Sequence, residues 1–131
     1  MNLDVLPGGF AICRLARADD APSPHASGVP WFLAVTTDEV ALVCPSADVP
    51  PQALAIEDDW TMLRVAGPLD FELVGIIARL AGALAQAGIP VFVASTYLTD
   101  YFLVKTQRLH DALTALRAAG VEVASSCGSR D

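Results

Sequence analysis

Apolar residues recur at Leu73, Ile76, Ile77, Leu80 and Leu84. That spacing gathers them on one stripe of a helix and predicts an amphipathic helix over residues 69–87. Its ends are marked too. Asp70 and Glu72 fall in the first turn, where the helix dipole favours negative charge. Gly88 followed by Pro90 supplies a stop. A second stripe, Leu109, Leu113 and Leu116, predicts a helix over 107–119 that ends at Gly120. Around these helices the pattern changes to β-rich runs at 60–65, 89–95, 101–105 and 121–124. The turn Tyr97-Leu98-Thr99-Asp100 joins the second and third runs as a hairpin. The order is β-α-β-β-α-β, a ferredoxin-like α+β arrangement with both helices on one face of a four-stranded antiparallel sheet.

The first half is less regular. Residues 3–6 read as extended, Pro7-Gly8-Gly9 as a turn and 10–15 as a strand. Residues 18–30 contain three prolines, two serines and a glycine and read as a loop. Runs 31–35 and 40–44, separated by Thr36-Thr37-Asp38-Glu39, have the signature of a second hairpin. Pro50-Pro51-Gln52-Ala53-Leu54 is expected to open a single helical turn, and Glu57-Asp58-Asp59 to form an acidic hinge. The chain therefore divides into a smaller β-rich unit over 1–57, a regular domain over 58–124, and a small polar tail over 125–131 that is expected to be mobile.

Composition narrows the function classes. Of 131 residues, 53% are hydrophobic and 18% charged, which suits a packed globular chain and argues against disorder. The apolar excess fits either an ordinary core or a buried subunit interface. A net charge of −7 with scattered basic residues makes nucleic acid and anionic membrane poor partners. The cysteines, Cys13, Cys44 and Cys127, are odd in number and lack zinc-ligand spacing, so a reduced, cytoplasmic protein is expected. The start, Met1-Asn2-Leu3-Asp4, lacks the features of a signal peptide. The apolar stretch 73–84 is broken by Arg79 and is too short for a membrane span. No phosphate-binding loop, dinucleotide fingerprint or zinc-protease motif occurs. His25 lies in a loop and His110 on a helix, neither near a nucleophile. No catalytic residue, cofactor or metal is expected, a site of His25, Cys13 and Cys44 being the minor alternative. Phe92 and Tyr101 read as core or interface residues.

The segment Trp60-Thr61-Met62-Leu63-Arg64-Val65, followed by Gly67-Pro68-Leu69-Asp70-Phe71 and Gly75-Ile76-Ile77-Ala78, resembles the opening of an ACT domain. The stretch Ser95-Thr96-Tyr97-Leu98-Thr99-Asp100-Tyr101-Phe102-Leu103-Val104 resembles one in the CASTOR-type cytosolic arginine sensors and in small bacterial tandem ACT-like proteins. On this resemblance the first half is a degenerate ACT-like unit, with Phe32-Leu33-Ala34-Val35 and Ala41-Leu42-Val43 as its hairpin. The resemblance implies a free amino acid bound at an ACT–ACT interface. The implied ligand-binding residues are Gly67, Leu69, Asp70, Phe71, Val74, Gly75, Ser95, Thr96 and Asp100. Only one clear copy of the 95–104 motif is present. A complete site is therefore expected to be shared, with the degenerate half or with the second subunit of a homodimer.

The chemistry is compatible with that implication. Backbone N–H groups at the start of the first helix can receive a carboxylate, aided by the Ser95 hydroxyl, and Asp100 or Asp70 can receive an ammonium. Each residue also has a plainer role. Asp70 can cap the helix, Asp100 suits a turn, and Ser95 and Thr96 can simply end a strand. A glycine at 75 inside a helix costs about 1 kcal/mol relative to alanine, so close approach of a strand or ligand is expected there. Two functions stay open: an amino-acid-binding regulatory or sensor module, and a structural dimerisation or protein-interaction module with no small ligand.

Overall fold

The computed structural model describes residues 2–23, 29–66 and 75–125. Expectations that fall on 24–28, 67–74 and 126–131 lie outside the described residues. The elements in chain order are β1 (Asn2–Val5), β2 (Phe10–Leu15), β3 (Phe32–Val35), β4 (Val40–Pro45), β5 (Ala55–Val65), α1 (Ile76–Gln86), β6 (Phe92–Ser95), β7 (Asp100–Lys105), α2 (Leu109–Ala118) and β8 (Glu122–Ser125). They form two compact units, Gly8–Trp60 and Met1–Pro7 with Thr61–Asp131. The division falls inside β5, which contributes its first part to one unit and residues 61–65 to the other.

In the Gly8–Trp60 unit the strands lie in the order β3-β4-β2-β5, antiparallel throughout. This is the ferredoxin-like strand order, with single 3-10 turns at Ala18–Asp20 and Ser46–Asp48 in place of the two helices among the described residues. The period-2 alternation of β2 and β4 supplies the core: Ala11, Cys13 and Leu15 on one strand, and Val40, Leu42 and Cys44 on the other, are all buried. The helical turn expected at 50–54 does not form. The Ala53 amide closes a tight turn on the Pro50 carbonyl at 3.1 Å, and the Leu54 amide already donates to Arg14 of β2 at 2.8 Å. The expected acidic hinge is also corrected, because Glu57, Asp58 and Asp59 lie within β5. Two steps on β2, Ile12 to Phe10, face three on β5, Glu57 to Trp60, so one extra residue forms a bulge. Asp59 takes up the strain with φ of 67°, and the Asp58 carboxylate receives the Ser46 hydroxyl at 2.6 Å and the Asp59 amide at 2.8 Å.

The second unit keeps the βαββαβ order but adds a strand. Its sheet runs β6-β7-β5-β1-β8, with β1 antiparallel to β5 and parallel to β8. The four-stranded sheet expected from the sequence is thus five-stranded, because β1 lies between the first and last strands of the motif. Leu3 explains why the strand is retained: it is fully buried with Leu63, Val65, Phe102 and Val104 in the core that the helices cover.

The first helix differs from expectation as well. Its described part is Ile76–Gln86, preceded by Gly75 in the left-handed region at φ of 78°. Gly75 is therefore not inside the helix, and among the described residues nothing would crowd a Cβ there. The positive φ, not close approach, accounts for the glycine. Leu80 and Leu84 are buried and Ile76 packs beside them, whereas Ile77 is 40% exposed on the flank of the stripe. Asp70, Glu72 and Leu73 lie outside the described residues. The second helix matches its stripe, with Leu116 buried and Leu109 and Leu113 against the core. An arginine associated with each helix holds the end of the other: Arg79 donates to the Ala119 carbonyl at 3.1 Å, and Arg108 to the Gly88 carbonyl at 3.4 Å.

Candidate functional site

The two hairpins carry the same turn sixty residues apart. The Thr36 amide donates to the Glu39 carbonyl at 2.9 Å, and the Thr96 amide to the Thr99 carbonyl at 2.9 Å. In both, the first threonine's hydroxyl also donates to that carbonyl. Threonine suits this position because its hydroxyl stands in for a backbone partner within the turn. In the second unit the turn is tied down further: the buried Thr99 hydroxyl donates to the Val65 carbonyl at the end of β5, at 2.6 Å.

That turn walls a cavity of about 340 Å³. Thr96, Leu98 and Thr99 line it from the turn and Tyr101 from β7. Arg64 and Ala66 line it from the end of β5, and Asp4 from β1. Its volume lies at the low end of the roughly 300–1,000 Å³ usual for small-molecule pockets. Strand parity fixes its face. Leu3, Leu63 and Val65 point to the helix-covered core, so the alternating Asp4 and Arg64 point to the opposite side. Asp4 and Arg64 are direct cross-strand partners, joined by an ion pair of 3.2 Å.

Thr96 is the sequence-predicted residue that lines this cavity. Ser95 and Asp100 are cross-strand partners of each other at the mouth of the hairpin. They share the parity of Val93 and Phe102, which belong to the helix-side core, so they lie on the helix side of the sheet, away from the cavity. Asp100 is the first residue of β7, where the sequence reading put it in the turn. Gly75 is not among the cavity residues. Gly67, Leu69, Asp70, Phe71 and Val74 lie outside the described residues. The sequence pattern does not mark Asp4, Arg64 or Thr99 as site residues, and Tyr101 reads there as a core or interface residue. Asp4, Arg64 and Tyr101 share a position: each is one pleat away from a core residue, a signal that appears only when the strand neighbours are known.

Other chemistry is sparse. Cys13 and Cys44 are buried free thiols. Burial pushes both above the usual value, Cys44 to about 12 with Cys13 beside it adding to the effect. Thiols held protonated in this way are poor nucleophiles. Among the described residues no group of three or more His, Cys, Asp or Glu side chains could hold a metal ion. No helix among the described residues is long and apolar enough to cross a membrane.

Comparison with known proteins places the second unit in a family. Residues 55–118 match the family model of the ACT domain. The cytosolic arginine sensor for mTORC1 subunit 1 of Pongo abelii is 36% identical over 123 residues, covering 88% of this chain and 36% of the relative. Its Homo sapiens counterpart is 37% identical over 59 residues, covering 44% of this chain and 18% of the relative. The chain thus spans about a third of the relatives' length or less. Among solved structures, protein Atu0741 from Agrobacterium tumefaciens superimposes with a TM-score of 0.83 at 26% identity, covering 99% of this chain and 96% of that one. The regulatory subunit of aspartate kinase from Thermus thermophilus shares the fold, with a TM-score of 0.60 at 11% identity over 91% of this chain and 97% of that one. Through the ACT domain at residues 55–118, the chain belongs to the ACT-domain family and is related to the cytosolic arginine sensors.

Proposed function

We propose that the protein is a non-catalytic, amino-acid-binding regulatory module of the cytoplasm. The observation that carries this reading is a ligand-sized cavity walled by the 96–99 turn of an ACT domain. The relative named as an arginine sensor supports the same ligand class. The protein acts as a homodimer, with ligand held at or beside an ACT–ACT interface. Ser95, Asp100 and Gly75, with Gly67, Leu69, Asp70, Phe71 and Val74, are the contacts proposed across that interface. Regulation is a population shift: the amino acid favours one arrangement by its differential affinity for it.

Thermal-shift measurement with each of the twenty L-amino acids tests the reading. A ligand at a hundred times its Kd stabilises the folded state by about 2.7 kcal/mol. At least one amino acid should raise the midpoint in a concentration-dependent way. No shift at millimolar concentration from a folded protein sinks the proposal. A second reading, a dimerisation module without ligand, is favoured by one observation. Leu33, Val35, Leu54 and Ile56 of the Gly8–Trp60 unit are 37%, 61%, 56% and 51% exposed, an apolar surface suited to a protein contact. A dimer that responds to no amino acid is the result that selects it.

A further inference from the structure

The cavity holds one anion and one cation, Asp4 and Arg64, and its other lining residues, Ala66, Thr96, Leu98, Thr99 and Tyr101, are uncharged at neutral pH. The two charges are placed by backbone register, directly opposite each other on β1 and β5. Their side chains are 27% and 38% exposed, so they are neither desolvated nor free. An ion pair this exposed adds little to stability, roughly 0–1 kcal/mol. Its stabilising effect is therefore a weak reason for placing an extra strand beside β5.

The other unit sharpens the point. Arg14 stands one residue before the end of β2, as Arg64 stands one residue before the end of the β5 strand. Arg14 faces Ala41 on one side and Ala55 on the other. Only in the unit with the inserted β1 is such an arginine set against a carboxylate across the ladder. The strand that departs from the simple βαββαβ sheet is the one that creates the charge couple.

A free α-amino acid is the matching object. Its carboxylate and ammonium lie on one carbon and present opposite charges side by side. An arginine pairs bidentately with a carboxylate and retains further N–H donors while it contacts Asp4 through Nη2. The Asp4 carboxylate has acceptor capacity left for an ammonium. The zwitterion can lie head to tail beside the existing couple without breaking it. We propose that the Asp4–Arg64 couple is the head-group receptor of this cavity. The ligand's carboxylate lies on Arg64 and its ammonium on Asp4, so the ligand is a free α-amino acid with both ionic groups intact. This assignment rests on the reading of the chain as an amino-acid-binding module and adds the groups that recognise the ligand.

Calorimetric titration separates the two levels. The L-amino acid giving the largest thermal shift is titrated into the wild-type protein, followed by its N-acetyl and its carboxamide derivatives. Each derivative should bind at least roughly tenfold more weakly, the scale of one charge-assisted contact. Asp4→Asn and Arg64→Met should each weaken the parent amino acid by a similar factor. Asp4→Asn should leave the N-acetyl derivative almost unaffected, since the ammonium it would have met is already gone. Asp4→Glu and Arg64→Lys, expected to weaken binding about threefold or more, serve if the harsher variants do not fold. If none of the twenty amino acids binds, the module reading and this assignment both fall. If one binds but its derivatives bind equally well, or the variants bind like wild type, the assignment alone is overturned.

Discussion

Thr99 ties the turn that walls the cavity to the end of β5, and replacing it with valine isolates that tie. Valine preserves the branched shape and removes the donor that meets the Val65 carbonyl at 2.6 Å. The hydroxyl is buried, at 7% residue exposure, so water cannot readily take its place. Loss of a buried hydrogen bond costs about 1–3 kcal/mol. The added methyl regains less than the roughly 0.8 kcal/mol of a fully buried methylene. The net loss for Thr99→Val is about 1–2 kcal/mol. At roughly 4 °C per kcal/mol for a chain of this size, the midpoint should fall by about 4–8 °C. Thr99→Ser keeps the donor, loses only the methyl, and should fall less. Thermal denaturation followed by circular dichroism, with urea midpoints as a check, reads both variants. A valine variant as stable as wild type, or more stable than the serine variant, refutes the claim that this hydrogen bond holds the turn.

Leu84→Ala removes a fully buried side chain beneath the helices and should cost about 2–5 kcal/mol in urea denaturation. A cost below 1 kcal/mol contradicts the packing described. Gly75→Ala forces a side chain into φ of 78° and should cost about 1–2 kcal/mol, although nothing described crowds the site. The buried Cys44 thiol stays protonated in the folded chain to about pH 12, while the unfolded chain releases that proton near its usual 9.0. The thiol's contribution to stability should therefore be constant below pH 9 and fall by up to about 1.4 kcal/mol per pH unit above it. The slope should shrink in Cys44→Ala, and an unchanged slope removes the thiol as its cause. The same burial should leave Cys13 and Cys44 slow to alkylate in the native protein and fast in urea, which mass spectrometry of iodoacetamide adducts measures.

The parts of the fold that rest on local pattern were legible in the sequence. Leu109, Leu113 and Leu116 mark α2 through their helical period, and the run from Phe92 to Val104 marks a hairpin through β-rich segments flanking a turn. What local pattern does not carry is the neighbour. The alternation of Leu3, Asp4 and Val5 says that one face of a strand is buried, but not that the strand pairs with residues 63–65, some sixty positions away. Asp4 as the partner of Arg64, and both as cavity residues, therefore became visible only with the sheet order. The acidic run at 57–59 was misread for a related reason. Its charges suggest a solvated hinge, whereas Ser46 and the bulge opposite Phe10 and Ile12 keep it in the ladder. At the hairpin, the 95–104 motif spans the turn closed by Thr96 and Thr99. Parity then separated its residues, sending Ser95 and Asp100 to the helix side and Tyr101 to the cavity side.

Everything proposed for this chain turns on whether a free amino acid binds at the turn-walled cavity of its ACT domain. Amide chemical-shift mapping of the wild-type protein, titrated with the amino acid giving the largest thermal shift, tests it most directly. Binding there should give saturable shifts concentrated at Asp4, Arg64, Ala66 and residues 96–101. Saturable shifts confined to other parts of the chain, or none at millimolar ligand, would contradict it.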